Sequence, residues 1–325
     1  MNDMVSGWRV LRSTSWFWRL VVVAGLVPGT AGLLGLFSSF HWVADLLSHF
    51  RVQYFLCLAG VALLLLVPGR WKTSALFGAL AAINLWMIVP LYLGKTEQPL
   101  SSSAPIRIVF ANVNTRWGDP ERVAEVVGRF RPDVLVLEEV SEAWLAELAP
   151  VLSEYPSAVS RPREDNFGIL LCSRFPFMQS RILSIGEAGV PSAMAEIETP
   201  SGRCTVLATH LCPPTGDRYY RWRNSQLAGL PSFVRQASSP VLLLGDLNVT
   251  PWSPFFRRLL RETGLKDSSR GRGPQATWPA FFPLLGIPID QCLHSPSIAI
   301  LRREVGSPIG SDHFPVILDV VLPSP

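Results

Sequence analysis

Residues 241–248 read VLLLGDLN, and the local meaning of that octapeptide decides the fold. Val241 to Leu244 are four apolar residues in succession, the pattern of a strand buried on both faces rather than one. Gly245, Asp246, Leu247 and Asn248 follow directly, so an apolar strand runs into a carboxylate and an amide at its end. Strands buried on both faces belong to sheets covered by helices.

Working outward, the same pattern recurs. Strands are expected at 107–114 (RIVFANVN), 133–140 (DVLVLEEV), 168–173, 193–199, 203–211 (RCTVLATHL), 289–294 and 316–322. Helices are expected between them. Asp119-Pro120 is an N-cap followed by proline at the first helical position, Val123, Val126, Val127 and Phe130 recur at helical spacing, and Pro132 stops the run. Further helices are expected at 142–152, 217–235 and 253–263.

Polar residues stand where these strands end or begin: Asn112 and Asn114; Glu138 and Glu139; His210; Asp246 and Asn248; Asp290; and Gly310-Ser311-Asp312-His313 just before the last strand. A lone residue of this kind is commonly a cap. Six such sites in one domain suggest a shared pocket, with carboxylate oxygens suited to Mg²⁺.

Composition divides the chain at about residue 100. Of 29 Lys/Arg and 25 Asp/Glu, seven and three lie in residues 1–100, which leaves 22 of each beyond. The net charge of +4 therefore belongs to the N-terminal part, and the remainder lacks the basic excess of a polyanion-binding domain. Three apolar segments, at about 17–37, 52–68 and 75–93, approach the ~20 residues needed to cross a bilayer, with Trp16, Trp18, Trp42, Tyr54, Trp71 and Tyr92 near their ends. Residues 1–95 are thus expected to be an anchor of three transmembrane helices, 96–105 a polar linker, and 106–325 the catalytic domain. Arg9, Arg12 and Arg19 precede the first span, Arg70 and Lys72 lie between the second and third, and Arg51 alone lies between the first and second. That bias places the N-terminus in the cytoplasm and the C-terminal domain outside an inner or plasma membrane, periplasmic in a two-membrane cell. The five cysteines show no metal-type spacing and are expected to be buried free thiols.

GDLN at 245–248, SDH at 311–313, the Glu-Glu-Val of the second strand and the Ala-Asn-Val of the first closely resemble the endonuclease/exonuclease/phosphatase superfamily, in the family's order. The resemblance covers residues 106–322. GDLNVTP followed by Trp252-Ser253-Pro254, and PIDQCLHS at 288–295, look like its membrane-bound bacterial branch. It implies a DNase I-like fold: a four-layered α/β sandwich, two mixed β-sheets flanked by helices, here preceded by the transmembrane helices. It also implies a phosphoester hydrolase using one or two Mg²⁺ or Mn²⁺ ions. Carried over by position, Glu139 is the main metal ligand, assisted by Asn112 and with Asp312 nearby. Asp246 activates water, Asn248 and His210 hold the phosphate, and Asp290 orients His313 on it. Glu138 stands where many members have glutamine.

Weaker candidates for substrate contact are Asn114, Arg218 and Arg221. The uncharged stretch from Trp278 to Leu285 reads either as core or as a loop touching bilayer or acyl chain. Expected partners are the lipid bilayer and a phosphoester, a lipid head group or small diester before nucleic acid; nothing requires an obligate protein partner. A nuclease, or a non-catalytic receptor on the same fold, remain the alternatives.

Overall fold

A computed structural model describes residues 15–94 and 104–323. Most of the expected linker, and Arg9 and Arg12 of the charge argument, lie outside the described residues. The chain divides into two compact units, Met1–Pro90 and Leu91–Pro325.

The first unit is helical: α1 (Ser15–Leu34), α2 (Trp42–Ser48), α3 (Arg51–Leu66) and α4 (Trp71–Ile88). Trp16–Phe37 and Trp71–Leu91 are each long and apolar enough to cross a membrane. The second expected span differs: α2 and α3 meet at a 65° bend, so this region is either one broken span or a re-entrant pair. Arg51, expected in a loop, is the first residue of α3 and is fully buried. Its guanidinium donates to Gly32 O (2.6 Å) and Asn84 Oδ1 (3.1 Å), which supplies partners for a charge otherwise costly among apolar helices.

The second unit is the four-layered sandwich. Sheet one has the strand order β11-β12-β1-β2-β4-β3, and sheet two β5-β6-β7-β8-β10-β9. The strands are β1 (Ile106–Asn112), β2 (Val134–Glu138), β3 (Ser157–Arg161), β4 (Ile169–Ser173), β5 (Phe177–Ser184), β6 (Pro191–Thr199), β7 (Gly202–Thr209), β8 (Val241–Asp246), β9 (Lys266–Asp267), β10 (Asp290–His294), β11 (Ala299–Val305) and β12 (Val316–Val321). The helices are α5 (Pro120–Phe130), α6 (Glu142–Glu147), α7 (Ala149–Leu152), α8 (Asp217–Gln236) and α9 (Pro254–Thr263). The expected helix at 142–152 is thus two short ones that meet at Leu148.

The apolar runs bury both faces because alternate side chains enter different cores. Ile108, Phe110, Val134 and Val136 point between the sheets towards Val206, Ala208, Leu242 and Leu244. Val109, Ala111, Leu135 and Leu137 point outward onto Val123, Val127 and Trp144 of α5 and α6. Leu207, Leu243 and Leu293 point the other way onto Leu227, Leu230, Phe256 and Leu259 of α8 and α9. Asp119 caps α5 by accepting from Glu121 N and Arg122 N. All five cysteines carry free thiols, and only Cys57 is exposed.

Register delivers the polar strand ends to one edge. β1 and β2 are parallel with Asn112 opposite Glu138. β8 and β10 are antiparallel with Asp246 opposite Asp290. The last strand, β12, pairs antiparallel with the first, β1, and so sets Gly310–His313 beside Asn112.

Candidate active site

The two sheets meet at Gly245. Its φ of 136° is disfavoured for residues with a Cβ, and a Cβ there would lie 2.2 Å from Glu138 Oε1 and 2.3 Å from Thr209 O. That close approach lets Asp246 N donate to Glu138 Oε2 (2.9 Å), tying β8 of one sheet to β2 of the other. Glu138 is fully buried. Burial, then the neighbouring charge of Asp246, push its carboxyl well above the usual range and so favour its neutral form. A neutral carboxyl is nearly isosteric with an amide. Glu138→Gln should therefore hold activity within about threefold. It should also raise Tm at pH 8 but not at pH 4. A group whose folded pKa is raised contributes stability below its unfolded value (~4.3) and loses it as pH rises through the folded one. An equal Tm change at both pH values, or a large activity loss, counts against a neutral Glu138.

Glu139, Asn114, Asn166 and Asn248 adopt positive φ (62°, 55°, 65° and 48°). Arg131, at a helix end, is the one other such non-glycine among the described residues. Strained backbone concentrated in one pocket points to function rather than to packing.

Each Glu139 oxygen accepts from an asparagine amide, Oε1 from Asn112 (2.8 Å) and Oε2 from Asn166. Asp312, half-buried at the rim, accepts from Asn114 Nδ2 on Oδ1 (2.8 Å) and from Trp278 Nε1 on Oδ2 (2.9 Å). Burial opposes its ionisation, but the charge of His313 and these two donors hold its pKa below the usual carboxylate value. Ser311 fixes the loop by donating to Asn112 O (2.8 Å) and accepting from His313 N (3.0 Å).

Asp246 lies between two imidazoles: Oδ2 is 3.6 Å from His210 Nε2 and 3.7 Å from His313 Nε2. Asn248 clamps it, through its own N to Oδ1 (2.8 Å) and its Nδ2 to Oδ2 (3.2 Å). Burial, then the charge of Asp290, raise the Asp246 pKa well above the ordinary carboxylate value. His313 Nδ1 lies 2.9 Å from Asp290 Oδ2. Burial alone would depress the His313 pKa, but Asp290 first and Asp246 next push it up to about 10, so the ring is an imidazolium at neutral pH. His210 is lowered, chiefly by burial, and stays neutral.

The structure brings together Asn112, Asn114, Glu139, His210, Asp246, Asn248, Asp290, Asp312 and His313. Arg218 and Arg221 lie on the exposed face of α8, the first over the Trp222 ring (4.9 Å) and the second paired with Asp217 (2.8 Å), and neither bonds to a site residue. Three other residues are in place that sequence reasoning passed over: Asn166 on Glu139, Trp278 on Asp312, and Arg223. Arg223 is fully buried beside the Tyr220 and Phe255 rings and donates from NH1 to Asn248 O (2.9 Å).

Among the described residues, no arginine or lysine ion-pairs with Glu138, Glu139, Asp246, Asp290 or Asp312; the partners are histidines. Ligand atoms of Asp246, Asp290 and His313 lie within 4.8 Å of one another, close enough to hold a metal ion. A crowd of buried carboxylates without an arginine or lysine partner fits a hard divalent cation.

Residues 111–313 match the Endonuclease/Exonuclease/phosphatase family. The chain is 22% identical to exodeoxyribonuclease III of Haemophilus influenzae over 65% of its own length and 98% of that protein's. An endonuclease/exonuclease/phosphatase from Beutenbergia cavernae superposes with a TM-score of 0.53 at 20% identity, covering 68% of this chain and 72% of that one. The human Nocturnin catalytic domain gives 0.55 at 20%, covering 66% and 94%.

Proposed function

Since this chain belongs to the endonuclease/exonuclease/phosphatase family, a family of metal-using phosphoester hydrolases, we propose that it is a membrane-anchored phosphodiesterase acting by activated-water attack. The observation that carries the reading is Asp246, a buried carboxylate of raised basicity, clamped by Asn248 and flanked by the Nε2 atoms of two histidines.

The residues divide the work as follows. Glu139 and Asp312, with Asn112, would hold a Mg²⁺ or Mn²⁺ ion, which would supply Lewis acidity to a phosphoryl oxygen. His313 is not assigned as a ligand, because a protonated imidazole whose Nδ1 is bonded to Asp290 has no lone pair to give. Asp246 takes the proton of the attacking water, a role suited to a carboxylate whose basicity is raised by burial and by the charge of Asp290. His313 donates from Nε2 to the charge that develops on the phosphate, and Asp290 fixes the ring. Neutral His210 adds a second contact from the other side. The apolar helices of the first unit anchor the enzyme, with its catalytic unit outside the cytoplasm.

The pH dependence tests the histidine pair. Activity that needs the imidazolium should persist into alkaline solution and fall through a pKa of about 10. In Asp290→Asn burial prevails, so the alkaline limb of kcat/KM should move down towards the ordinary ~6.5 or below. A limb that stays in place shows that His313 is not the group being titrated.

The full chain in detergent, assayed on bis-p-nitrophenyl phosphate with Mg²⁺, Mn²⁺ or EDTA, tests the reaction itself. Chelator-sensitive diester hydrolysis is expected. Cleavage of a phosphomonoester alone, or a rate indifferent to EDTA, overturns it. The nuclease alternative separates by salt: nucleic-acid binding weakens steeply through counterion release, which the charge-neutral catalytic region gives little reason to expect.

A further inference from the structure

The segment that joins β9 to β10 ends in an exposed apolar tip. From Gly273 to Ile289 the chain carries no acidic or basic residue. Leu284 is 80% exposed, Phe281 74%, Phe282 48% and Leu285 45%. The tip is held firmly at its neck. Trp278 and Ile287 bond to each other in both directions (3.2 and 2.7 Å), and Pro283–Leu285 forms a 3₁₀ turn. Ala280 N donates to Asp312 O (2.7 Å), Phe314 N donates to Thr277 O (2.9 Å), and Trp278 Nε1 donates to the Asp312 carboxylate.

We propose that this tip enters the surface of a lipid bilayer and that the site hydrolyses a phosphoester presented there, a lipid head group. The inference rests on the hydrolase reading and names its substrate class. Four neighbouring large apolar side chains left in water mark an interaction surface rather than ordinary exposure. Chain connectivity favours a bilayer as the occupant. Only residues 92–105 separate Leu91, where the last apolar stretch ends, from β1, and that length spans at most ~50 Å. Once the helices are inserted, the catalytic unit cannot leave the membrane's neighbourhood. The tip also lacks the charged rim by which protein partners are selected, whereas Trp, Phe and Leu on a short rigid loop suit a head-group boundary. Because Trp278 and Asn114 hold the two oxygens of Asp312, seating the tip fixes one wall of the site.

The test uses the full chain in phosphatidylcholine/phosphatidylglycerol nanodiscs, with a spin label on Leu284→Cys in a Cys57→Ser background. A label on exposed Ser180→Cys, on the distant edge strand β5, serves as the aqueous reference. The Leu284 label should collide with oxygen in preference to a water-soluble nickel chelate, and the Ser180 label the reverse. A Leu284 label as open to nickel as Ser180, or shielded from both reagents as at a contact between two copies, overturns the proposal. Phe281→Ser/Leu284→Ser should lower the ratio of vesicle-phospholipid to bis-p-nitrophenyl phosphate hydrolysis at least ~10-fold; an unchanged ratio, or DNA cleaved faster than lipid, overturns the substrate class. The label needs no catalysis, so an inert chain with an inserted tip sinks only the hydrolase reading. An active chain with its tip in water sinks only this proposal.

Discussion

His313→Asn should lower kcat by roughly 10²–10³, the usual cost of removing one preorganised donor from a developing oxyanion. Asparagine retains a polar group of similar reach but cannot carry the charge that Asp290 and Asp246 sustain on the imidazole. The fold should survive, because His313 N still donates to Ser311 Oγ and β12 still pairs with β1. Steady-state kinetics on bis-p-nitrophenyl phosphate, beside a melting curve, checks both statements. Activity within tenfold of wild type means that the proton donor lies elsewhere. Unfolding of the variant would mean instead that the Asp290–His313 pair is a structural element.

Glu139→Ala should cost more. Losing the main oxygen ligand removes several kcal/mol of transition-state stabilisation, which is three or more decades in kcat. It should also remove a response that needs no turnover. A ligand that binds only the folded state at 100 times its Kd stabilises by about 2.7 kcal/mol. The wild-type protein should therefore melt higher with Mg²⁺ or Mn²⁺ than with EDTA, and Glu139→Ala should melt alike in both. Glu139→Gln keeps the size and should behave as Glu139→Ala. A variant that still gains stability from metal places the ion elsewhere, with Asp246 and Asp290, whose ligand atoms lie within 4.8 Å of each other, the pair to test next.

Much of this architecture is legible in the chain because its central strands are written as continuous apolar runs. Such runs need two cores, and two sheets with outer helices provide them. None of the four edge strands, β3, β5, β9 and β11, is among the expected strands. SAVSR and FMQSRILS are mostly exposed, and they become strands by pairing with β4 and β6 rather than by any propensity of their own. Helix 142–152 was expected whole, but Pro150 sits where an uninterrupted helix would need its N–H, and the chain re-caps at Leu148.

The site shows the same division. Residues in GDLN and SDH announce themselves locally. Asn166 does not, because it reaches Glu139 only after β2 and β4 pair and Glu139 N bonds to Gly168 O (2.7 Å). Arg223 could have been found. Tyr220, Arg223, Leu227 and Leu230 recur at helical spacing and form the buried face of α8, whereas Arg218 and Arg221 fall on the other side. Periodicity alone separates the two faces of the helix.

The pairing of the last strand with the first governs when activity can begin. A nascent polypeptide lacking residues 311–325 already contains Asn112, Glu139, Asp246 and Asp290, but it has neither His313 nor the strand that closes the sheet beside Asn112. Completion of the sheet and completion of the site are therefore one event: until β12 lies along β1, the carboxylates Asp246 and Asp290 stand without the imidazole that sits between them.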